Sequence, residues 1–361
     1  MLDVYTVVLA GGSGTRFWPK SRHLRPKQLC ALGQDPRRMI EVTLDRLTDF
    51  VPPERRLIVT HKDQVPLTRE IVGPKCPLLI AEPEAKNTAN ALALAALEIA
   101  HRHKGPGSPV MISLHADHLI RDEDGFRKTL LEAVHVAREG FLTLLGVVPE
   151  YPETGYGYIE RGPSLPGASG SYKVASFREK PELAVAEEFV RSKRFYWNAG
   201  LFVWRVDVIV NELRKTLPNT ITALESLIEE YGSFASCPPD KLAQVYKSLP
   251  KISIDHAVLE VSQNVAVVET DIGWQDIGSW GALAKAFGTD DLGNRLDGEG
   301  CMIDTTGTTV DTDGPFVATV GVKDLIVVAS GGAILVCPKN RDQDVKKVVE
   351  WLQERRMTSL L

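Results

Sequence analysis

The sequence lacks paired cysteines, an excess of positive charge and any long hydrophobic run. Its five cysteines are scattered without a Cys-x-x-Cys pair, which favours a reduced cytoplasmic protein. A net charge of -5 argues against a nucleic-acid or anionic-membrane surface, although it allows a local basic pocket. The first apolar run, Val4–Ala10, is too short for a signal-peptide core or a membrane span. We therefore expect a cytoplasmic protein with no nucleic-acid or membrane partner.

The composition is that of a globular protein, with 43% hydrophobic and 25% charged residues. At 361 residues the chain exceeds the size at which one core usually stops growing, so a large domain with a smaller one is expected. Apolar runs that resemble buried strands alternate with helical patterns, and these runs are Val4–Ala10, Leu57–Thr60, Pro77–Ala81, Val110–Leu114 and Leu142–Val147. This alternation predicts an α/β domain with a Rossmann-like mixed, mostly parallel sheet flanked by helices.

The pattern changes twice further along the chain. Residues Tyr151 to Arg205 are rich in aromatics and glycines, which suggests hairpins inserted to cover a substrate. After Asp290, short strands separated by Gly, Asp and Thr turns predict a small β-rich, β-helix-like domain that ends in an amphipathic helix over Val345–Arg356. We expect a large N-terminal domain over residues 1–288 and a small C-terminal domain over residues 289–361.

The first predicted strand leads directly into a glycine-rich loop, Gly11–Arg16. Such a loop lies at the carboxyl end of a sheet strand, where α/β folds bind ligands, and its N–H groups form an anion-binding nest. Arg16 and Lys27 add two cations, which suit a triphosphate. The dinucleotide fingerprint, the P-loop and the hydrolase nucleophile elbow each lack a required residue here. A tight turn is the alternative for the glycines alone.

The stretch from Leu9 to Gln28 resembles the signature of sugar-nucleotide pyrophosphorylases, and its Pro26-Lys27-Gln28 ending is similar to the mannose-1-phosphate guanylyltransferase branch. Matching motifs follow in family order: Glu82-Pro83-x-x-x-Asn87-Thr88-Ala89, Ala116-Asp117-His118, Gly157-Tyr158-Ile159, Phe177-x-Glu179-Lys180-Pro181, Trp197-Asn198-Ala199-Gly200, Ser253-Ile254-Asp255 and Gly273-Trp274-x-Asp276. The resemblance implies the nucleotide-diphospho-sugar transferase fold. It also implies that GTP and mannose 1-phosphate are the partners, and that GDP-mannose and pyrophosphate are the products.

Two acidic residues are candidates for a metal. Asp117 follows the predicted strand Val110–Leu114, and Asp276 lies far away in sequence. One carboxylate from each suits Mg²⁺, which commonly takes one or two carboxylates together with substrate phosphates. The resemblance assigns both to the metal. The spacing His115-x-x-His118 offers no third ligand, so we interpret His118 as a structural neighbour of Asp117.

For the nucleotide, Glu82 is the candidate reader of guanine, because one carboxylate can accept both the N1 and N2 donors that adenine lacks. The resemblance places the helix start Asn87 and Thr88 beside the base. The remaining predicted nucleotide contacts are in the loop, and they are Leu9, Ala10, Gly11, Gly12, Gly14 and Thr15. As alternatives, Glu82 is a solvated loop acid and Asn87 only a helix cap.

For the sugar, polar groups that bind vicinal hydroxyls are expected beside glycines that let the ring approach. The predicted sugar-binding residues are Gly157, Glu160, Glu179, Asn198 and Asp255. Lys180 is expected to face the sugar phosphate and joins Arg16, Lys27, Asp117 and Asp276 as the catalytic set implied by the resemblance.

Two other functions fit part of the pattern. One is a related pyrophosphorylase that uses a different nucleotide or hexose phosphate. The other is a non-catalytic regulatory relative that binds sugar nucleotides, although retention of Arg16, Lys27, Asp117 and Asp276 speaks against it. The resemblance also suggests a possible homodimer that uses the C-terminal domain.

Overall fold

The computed structural model describes residues 3–12, 14–33 and 35–361, so Ser13 of the glycine loop lies outside the described residues. The strands are β1 (Val4–Ala10), β2 (Arg56–His61), β3 (Leu78–Glu82), β4 (Val110–His115), β5 (His118–Leu119), β6 (Leu142–Val147), β7 (Gly157–Ser164), β8 (Ser171–Glu179), β9 (Phe195–Arg205), β10 (Val265–Thr270), β11 (Gln275–Asp276), β12 (Arg295–Asp297), β13 (Gly300–Ile303), β14 (Thr309–Thr312), β15 (Val317–Val320), β16 (Leu325–Ser330) and β17 (Ala333–Pro338).

The helices are α1 (Met39–Asp45), α2 (Val65–Val72), α3 (Thr88–Arg102), α4 (Glu123–Arg138), α5 (Leu183–Ser192), α6 (Val206–Thr216), α7 (Pro218–Tyr231), α8 (Pro239–Ser248), α9 (Trp280–Phe287) and α10 (Val345–Glu354). Side-chain caps start several of them. The Asn87 side chain accepts from the Thr88 N–H at α3, and the Asp122 side chain accepts from the Gly125 N–H at α4. Within the described residues, no helix is both long enough and apolar enough to cross a membrane.

Within the described residues, a nine-stranded sheet has the order β3-β2-β1-β4-β9-β6-β10-β8-β7. Strand β9 runs antiparallel to its neighbours β4 and β6, and β8 runs antiparallel to β10 and β7. The other strands of this sheet share one direction. Helices α3, α6, α7 and α8 pack on one face, and α1, α2, α4 and α5 pack on the other. The predicted mixed, mostly parallel sheet flanked by helices is confirmed.

The segment from Tyr151 to Arg205 is not simply a covering insertion, and that expectation is wrong for β9. This strand lies inside the sheet between β4 and β6, where Leu201–Trp204 are buried. A strand with sheet neighbours on both sides and helices over both faces needs a continuous apolar run rather than alternation, which explains this sequence. Strands β7 and β8 extend the sheet at its edge, and β7 also pairs with β9.

The C-terminal part has the predicted β-helix-like form. Strands β12, β14 and β16 form one parallel ladder, and β13 and β15 form a second. Strand β17 returns antiparallel to β16. Helix α10 buries Val345, Val349 and Leu352, as the apolar spacing of the tail predicts.

The C-terminal part packs directly against the catalytic part. One hydrophobic cluster contains Phe17 and Trp18 from the loop after β1, Trp280 from α9, and Ile326 and Val328 from β16, together with residues of α10. The two parts therefore share a core. The exact division between residues 288 and 289 stays a prediction.

Candidate active site

A cleft lies at the carboxyl ends of β1, β3 and β4, where the glycine loop begins. It consists of two adjoining cavities with volumes of about 260 Å³ and 520 Å³. Both are lined by Asn87, Thr88, His115 and Asp117, which join them into one cleft. The smaller cavity also contains Leu9, Ala10, Gly11, Gly12 and Glu82, and the larger contains Gly157, Glu179, Lys180, Asn198, Asp255 and Asp276.

Gln28 ties the glycine loop to the segment that carries Lys27. Its Nε2 donates to the carbonyl of Ala10 at 2.6 Å and to that of Gly12 at 3.1 Å. Gly14 has φ of 60°, and a Cβ there would lie 2.7 Å from the Cβ of Lys27, so the loop can pack this closely only with glycine. Gln28 belongs to the Pro-Lys-Gln motif, but the sequence alone does not reveal this role.

Lys27 lies between the two predicted metal-binding carboxylates. Its Nζ is 2.9 Å from Asp117 Oδ2 and 3.5 Å from Asp276 Oδ1. The short β5–β11 ladder, which pairs Asp276 with His118, brings these distant residues together. Burial alone would raise the pKa of Asp117, but the charge and hydrogen bond of Lys27, together with the neighbouring His118 and His115, outweigh it and hold that pKa well below its ordinary value. Asp117 is therefore a carboxylate at neutral pH.

His115, Asp117 and His118 each offer a ligand atom, and these atoms lie within 4.8 Å of one another. The indole N–H of Trp274 donates to His118 Nδ1 at 3.1 Å. Because an indole is only a donor, the neutral His118 ring must carry its proton on Nε2 and has no free lone pair there. Burial also keeps the pKa of His118 well below its usual value. This arrangement disfavours a histidine-bound transition metal.

Glu82 lies in the wall of the smaller cavity and is only 6% exposed. Tyr246 on α8 donates its hydroxyl to Glu82 Oε1 at 3.0 Å, while Oε2 faces Gly11. Burial raises the pKa of Glu82 to about 7, and the Tyr246 hydrogen bond opposes that rise. The contact between Glu82 and Tyr246 joins residues 164 positions apart and has no local sequence signal.

Thr88 lines both cavities, and its side chain is hydrogen-bonded to the segment that carries Asp255. Its hydroxyl accepts from the Ile254 N–H at 2.9 Å, and the next residue, Asp255, begins a short π-helical turn. Asn198 Nδ2 donates to Asp255 Oδ1 at 2.9 Å. Burial, with a contribution from the negative charge of Glu179, raises the pKa of Asp255. These acidic groups form one cluster in the larger cavity.

Gly157 lies opposite Glu179 in the β7–β8 ladder, and a Cβ at Gly157 would lie 2.6 Å from Glu179 Oε2. The glycine therefore leaves room for this carboxylate inside the cavity. Lys180 Nζ pairs with Glu179 Oε1 at 2.5 Å and is largely exposed. The Lys180 ammonium and the Glu179 carboxylate both line the larger cavity, where a ligand can reach them.

Glu160 does not join this group. Side chains alternate along β7, so Glu160 points to the same face as Tyr158, which packs on Phe189 of α5. Its carboxylate accepts from Ser176 at 2.8 Å and pairs with Arg194 at 2.9 Å. The sequence alone predicts Glu160 as a sugar-binding residue because it does not reveal which face of β7 this side chain occupies.

Thr15 and Arg16, at the end of the glycine loop, have different surroundings. Thr15 lines a separate cavity of about 560 Å³ together with Trp18 and Val349. Arg16 is exposed, donates to Gln343 Oε1 at 3.1 Å and borders Gly278 in the loop that carries Asp276. Arg16 is therefore near the carboxylate pair, whereas Thr15 faces the C-terminal domain.

Comparisons with known proteins agree with this architecture. A family model described as nucleotidyl transferase matches residues 5–291, and a second, described as a mannose-phosphate isomerase and GMP-like β-helix domain, matches residues 298–352. The fold and the cleft thus define a nucleotidyltransferase.

Named relatives narrow the class further. The mannose-1-phosphate guanylyltransferase of Escherichia coli K12 is 38% identical over 97% of this chain and 73% of its own. The Salmonella typhimurium protein named mannose-1-phosphate guanylyltransferase ManC is 38% identical over 96% of this chain and 72% of its own. A Thermus thermophilus crystal structure, described as mannose-1-phosphate geranyltransferase, superposes with a TM-score of 0.87 at 36% identity, covering 98% of this chain and 100% of that one. The chain belongs to the mannose-1-phosphate guanylyltransferase family.

Proposed function

We propose that this chain transfers the guanylyl group of GTP to mannose 1-phosphate and releases pyrophosphate. The observation that carries the proposal is the position of Lys27. Its ammonium lies between Asp117 and Asp276, at the junction of a base-sized cavity and a cavity rich in carboxylates. The α-phosphate of a nucleotide bound across this junction would meet the acceptor there.

In the smaller cavity, Glu82 supplies guanine recognition. Its Oε1 is engaged by Tyr246, and its ionised carboxylate would accept from the guanine N1 and N2 groups. Adenine offers a different edge and would leave this buried carboxylate without its donors, which is costly. The Asn87–Thr88 helix start and the loop residues Leu9 to Gly12 form the rest of the nucleotide wall.

The donor set around Lys27 fits a magnesium ion. Asp117 and Asp276 are hard oxygen donors, and with one ammonium between two carboxylates the group retains one net negative charge. We therefore assign Mg²⁺ to these two carboxylates, in agreement with the resemblance. When bound, the ion would neutralise charge on the phosphates next to the reacting phosphorus.

In the larger cavity, Glu179, Asn198 and Asp255 would bind the hydroxyls of mannose, and Gly157 leaves space for the Glu179 carboxylate beside the ring. Lys180 would exchange its partner Glu179 for the sugar phosphate. Glu160 is omitted from this set because it faces the other side of the sheet.

The reaction needs no enzyme nucleophile. An anionic oxygen of mannose 1-phosphate attacks the α-phosphorus in line, forms the new phosphorus–oxygen bond and breaks the bond to pyrophosphate. Lys27 and Arg16 stabilise the charge that builds up on the departing phosphates. Orientation of the two substrates across the junction supplies the rest of the rate enhancement.

A substrate panel tests the proposal. Pyrophosphate release is measured with GTP or ATP against mannose 1-phosphate or glucose 1-phosphate, with MgCl₂ present. The pair of GTP and mannose 1-phosphate should give the highest kcat/KM. A higher value with another pair would indicate a different sugar-nucleotide pyrophosphorylase, and GDP-mannose binding without turnover would indicate a regulatory relative.

The resemblance also suggested a homodimer, and the composition suggested a cytoplasmic location. The described free cysteines Cys30, Cys76 and Cys237 are buried, which is compatible with a reducing compartment. Both statements stay predictions.

A further inference from the structure

The segment between Arg16 and Lys27 carries both proposed triphosphate cations, and its outer side is bound by the C-terminal domain. Trp18 Nε1 donates to the carbonyl of Leu360 at 2.9 Å. Arg22 Nη2 donates to the carbonyl of Gly331 at 3.2 Å. The segment that carries Arg16 and Lys27 is thus attached to a domain that contributes no residue to the smaller cavity of the cleft.

The strongest of these attachments is an ion pair between Lys20 and Asp311. Lys20 Nζ lies 2.7 Å from Asp311 Oδ1 and 3.0 Å from Oδ2. The Asp311 side chain is 1% exposed and that of Lys20 is 13% exposed. A carboxylate buried this deeply is costly unless its partner stays in place. The pair therefore restricts where Lys20 can lie.

Lys20 passes that restriction to the rest of the loop. Its carbonyl accepts from Arg25 Nη2 at 3.1 Å and from Cys30 Sγ at 3.4 Å. Ser21, the next residue, donates its hydroxyl to the carbonyl of Gly14 at 2.6 Å. Because Gly14 packs against Lys27, a connected path runs from the β-helix domain to the proposed catalytic lysine.

We infer that Lys20 and Asp311 are positioning residues for nucleotidyl transfer, through which the β-helix domain holds the triphosphate loop in its reactive geometry. The inference rests on the proposed function. It predicts that a loosened pair impairs the nucleotide side of the cleft and leaves the sugar side unchanged, because Glu179, Asn198 and Asp255 are attached to other elements.

Asp297 provides a matched control. It lies opposite Asp311 in the β12–β14 ladder and pairs with Arg295 at 3.1 Å inside the same domain. The substitution Asp297→Asn thus removes a partly buried carboxylate charge next to Asp311 without touching the catalytic loop.

The test compares Asp311→Asn with Asp297→Asn in the full chain. For Asp311→Asn we expect kcat/KM for GTP to fall about 10- to 100-fold, as a displaced catalytic group would cause. The KM for mannose 1-phosphate should stay within about twofold of wild type, as should all constants of Asp297→Asn. Melting temperatures and calorimetric GTP titrations accompany the kinetics, and Lys20→Gln probes the same pair from the loop side if Asp311→Asn does not fold.

Four results separate the possibilities. An inactive wild type would overturn the proposed function, and the GTP titrations would then still test the loop. Folded Asp311→Asn and Lys20→Gln proteins with wild-type GTP affinity and kcat would overturn the positioning role. Equal losses of kcat/KM for GTP in Asp311→Asn and Asp297→Asn would show a merely structural role and would overturn the positioning role as well. Equal increases in the KM for GTP and the KM for mannose 1-phosphate would do the same.

Discussion

The two halves of the cleft hold their charged groups differently. On the nucleotide side, the Lys27 side chain is 5% exposed and contacts two carboxylates, and Glu82 is buried against Tyr246. On the sugar side, the Lys180 side chain is 62% exposed, and its partner within the described residues is the adjacent Glu179. The lysine of the nucleotide side is thus buried, whereas the lysine of the sugar side is open to solvent.

This difference has an energetic meaning. Buried charges that already have partners incur their desolvation cost during folding, so the nucleotide meets groups that need little rearrangement. An exposed lysine pair is worth little by itself and can exchange its partner easily. We therefore expect substitutions on the nucleotide side to affect kcat and the affinity for GTP. Substitutions on the sugar side should affect mostly the KM for the sugar phosphate.

The largest effect is expected from Lys27→Met. Loss of this charge removes a stabiliser of the leaving phosphates, so kcat should fall at least about 10²- to 10³-fold. The burial of Lys27 between two acids means that the variant also loses stability, so folding must be verified by circular dichroism before the kinetics are measured. Near-normal turnover in a folded Lys27→Met protein would remove Lys27 from the mechanism.

Glu82→Gln should have the next largest effect. An amide presents an N–H group to one of the guanine donors, so the affinity for GTP should fall about 10- to 100-fold while kcat changes less. Inosine triphosphate, which lacks the N2 amino group, should lose less affinity than GTP from this substitution. Equal losses for both nucleotides would place the guanine N2 group elsewhere.

The pH dependence of GTP binding tests Glu82 in the wild type. Because its pKa is about 7, the group is mostly protonated below that pH and accepts from both guanine donors only when it is ionised, above that pH. The Kd for GTP should therefore rise about tenfold from pH 8 to pH 6. Calorimetry on Glu82→Gln is the control, because that variant should retain only the pH dependence that belongs to the nucleotide phosphates.

Lys180→Met sharpens the comparison from the sugar side. We expect the KM for mannose 1-phosphate to rise about tenfold, because one charge-assisted contact to phosphate is lost. The KM for GTP should not change. A matching rise in the KM for GTP would show that Lys180 contacts the nucleotide and that the two sides are not separate.

The smallest effect is expected from Glu160→Gln. This carboxylate points to the same face of β7 as Tyr158 and pairs with the exposed Arg194, so both KM values should stay within about twofold of wild type. Steady-state kinetics with each substrate varied in turn measure this. A loss as large as that of Lys180→Met would restore Glu160 to the sugar site.

The two sides also differ in how far the sequence predicts them. The nucleotide loop is one contiguous motif after an apolar strand, so its place at the sheet edge follows from general rules for α/β folds. The approach of Asp276 to Asp117 was implied by resemblance, and the β5–β11 ladder now gives its structural cause. Tyr246 left no signal, because a tyrosine in a helix has many reasons to be buried.

The sugar side depends on strand register, which the sequence alone leaves open. Whether a residue of β7 faces the cleft changes with each step along the strand, so Gly157 faces it and Glu160 does not. The central position of β9 in the sheet could not be predicted either, because β9 pairs antiparallel with β4 and β6, which are distant from it in sequence. The Lys20–Asp311 pair spans 291 positions and has no local pattern.

A crystal structure of the complex with GDP-mannose tests the division of the cleft most directly. We predict the guanine edge on Glu82, the diphosphate beside Gly11, Gly12 and Lys27, and the mannose hydroxyls on Glu179, Asn198 and Asp255. A guanine base bound near Lys180, or a ligand bound in the cavity beside Trp18 instead of this cleft, would contradict it.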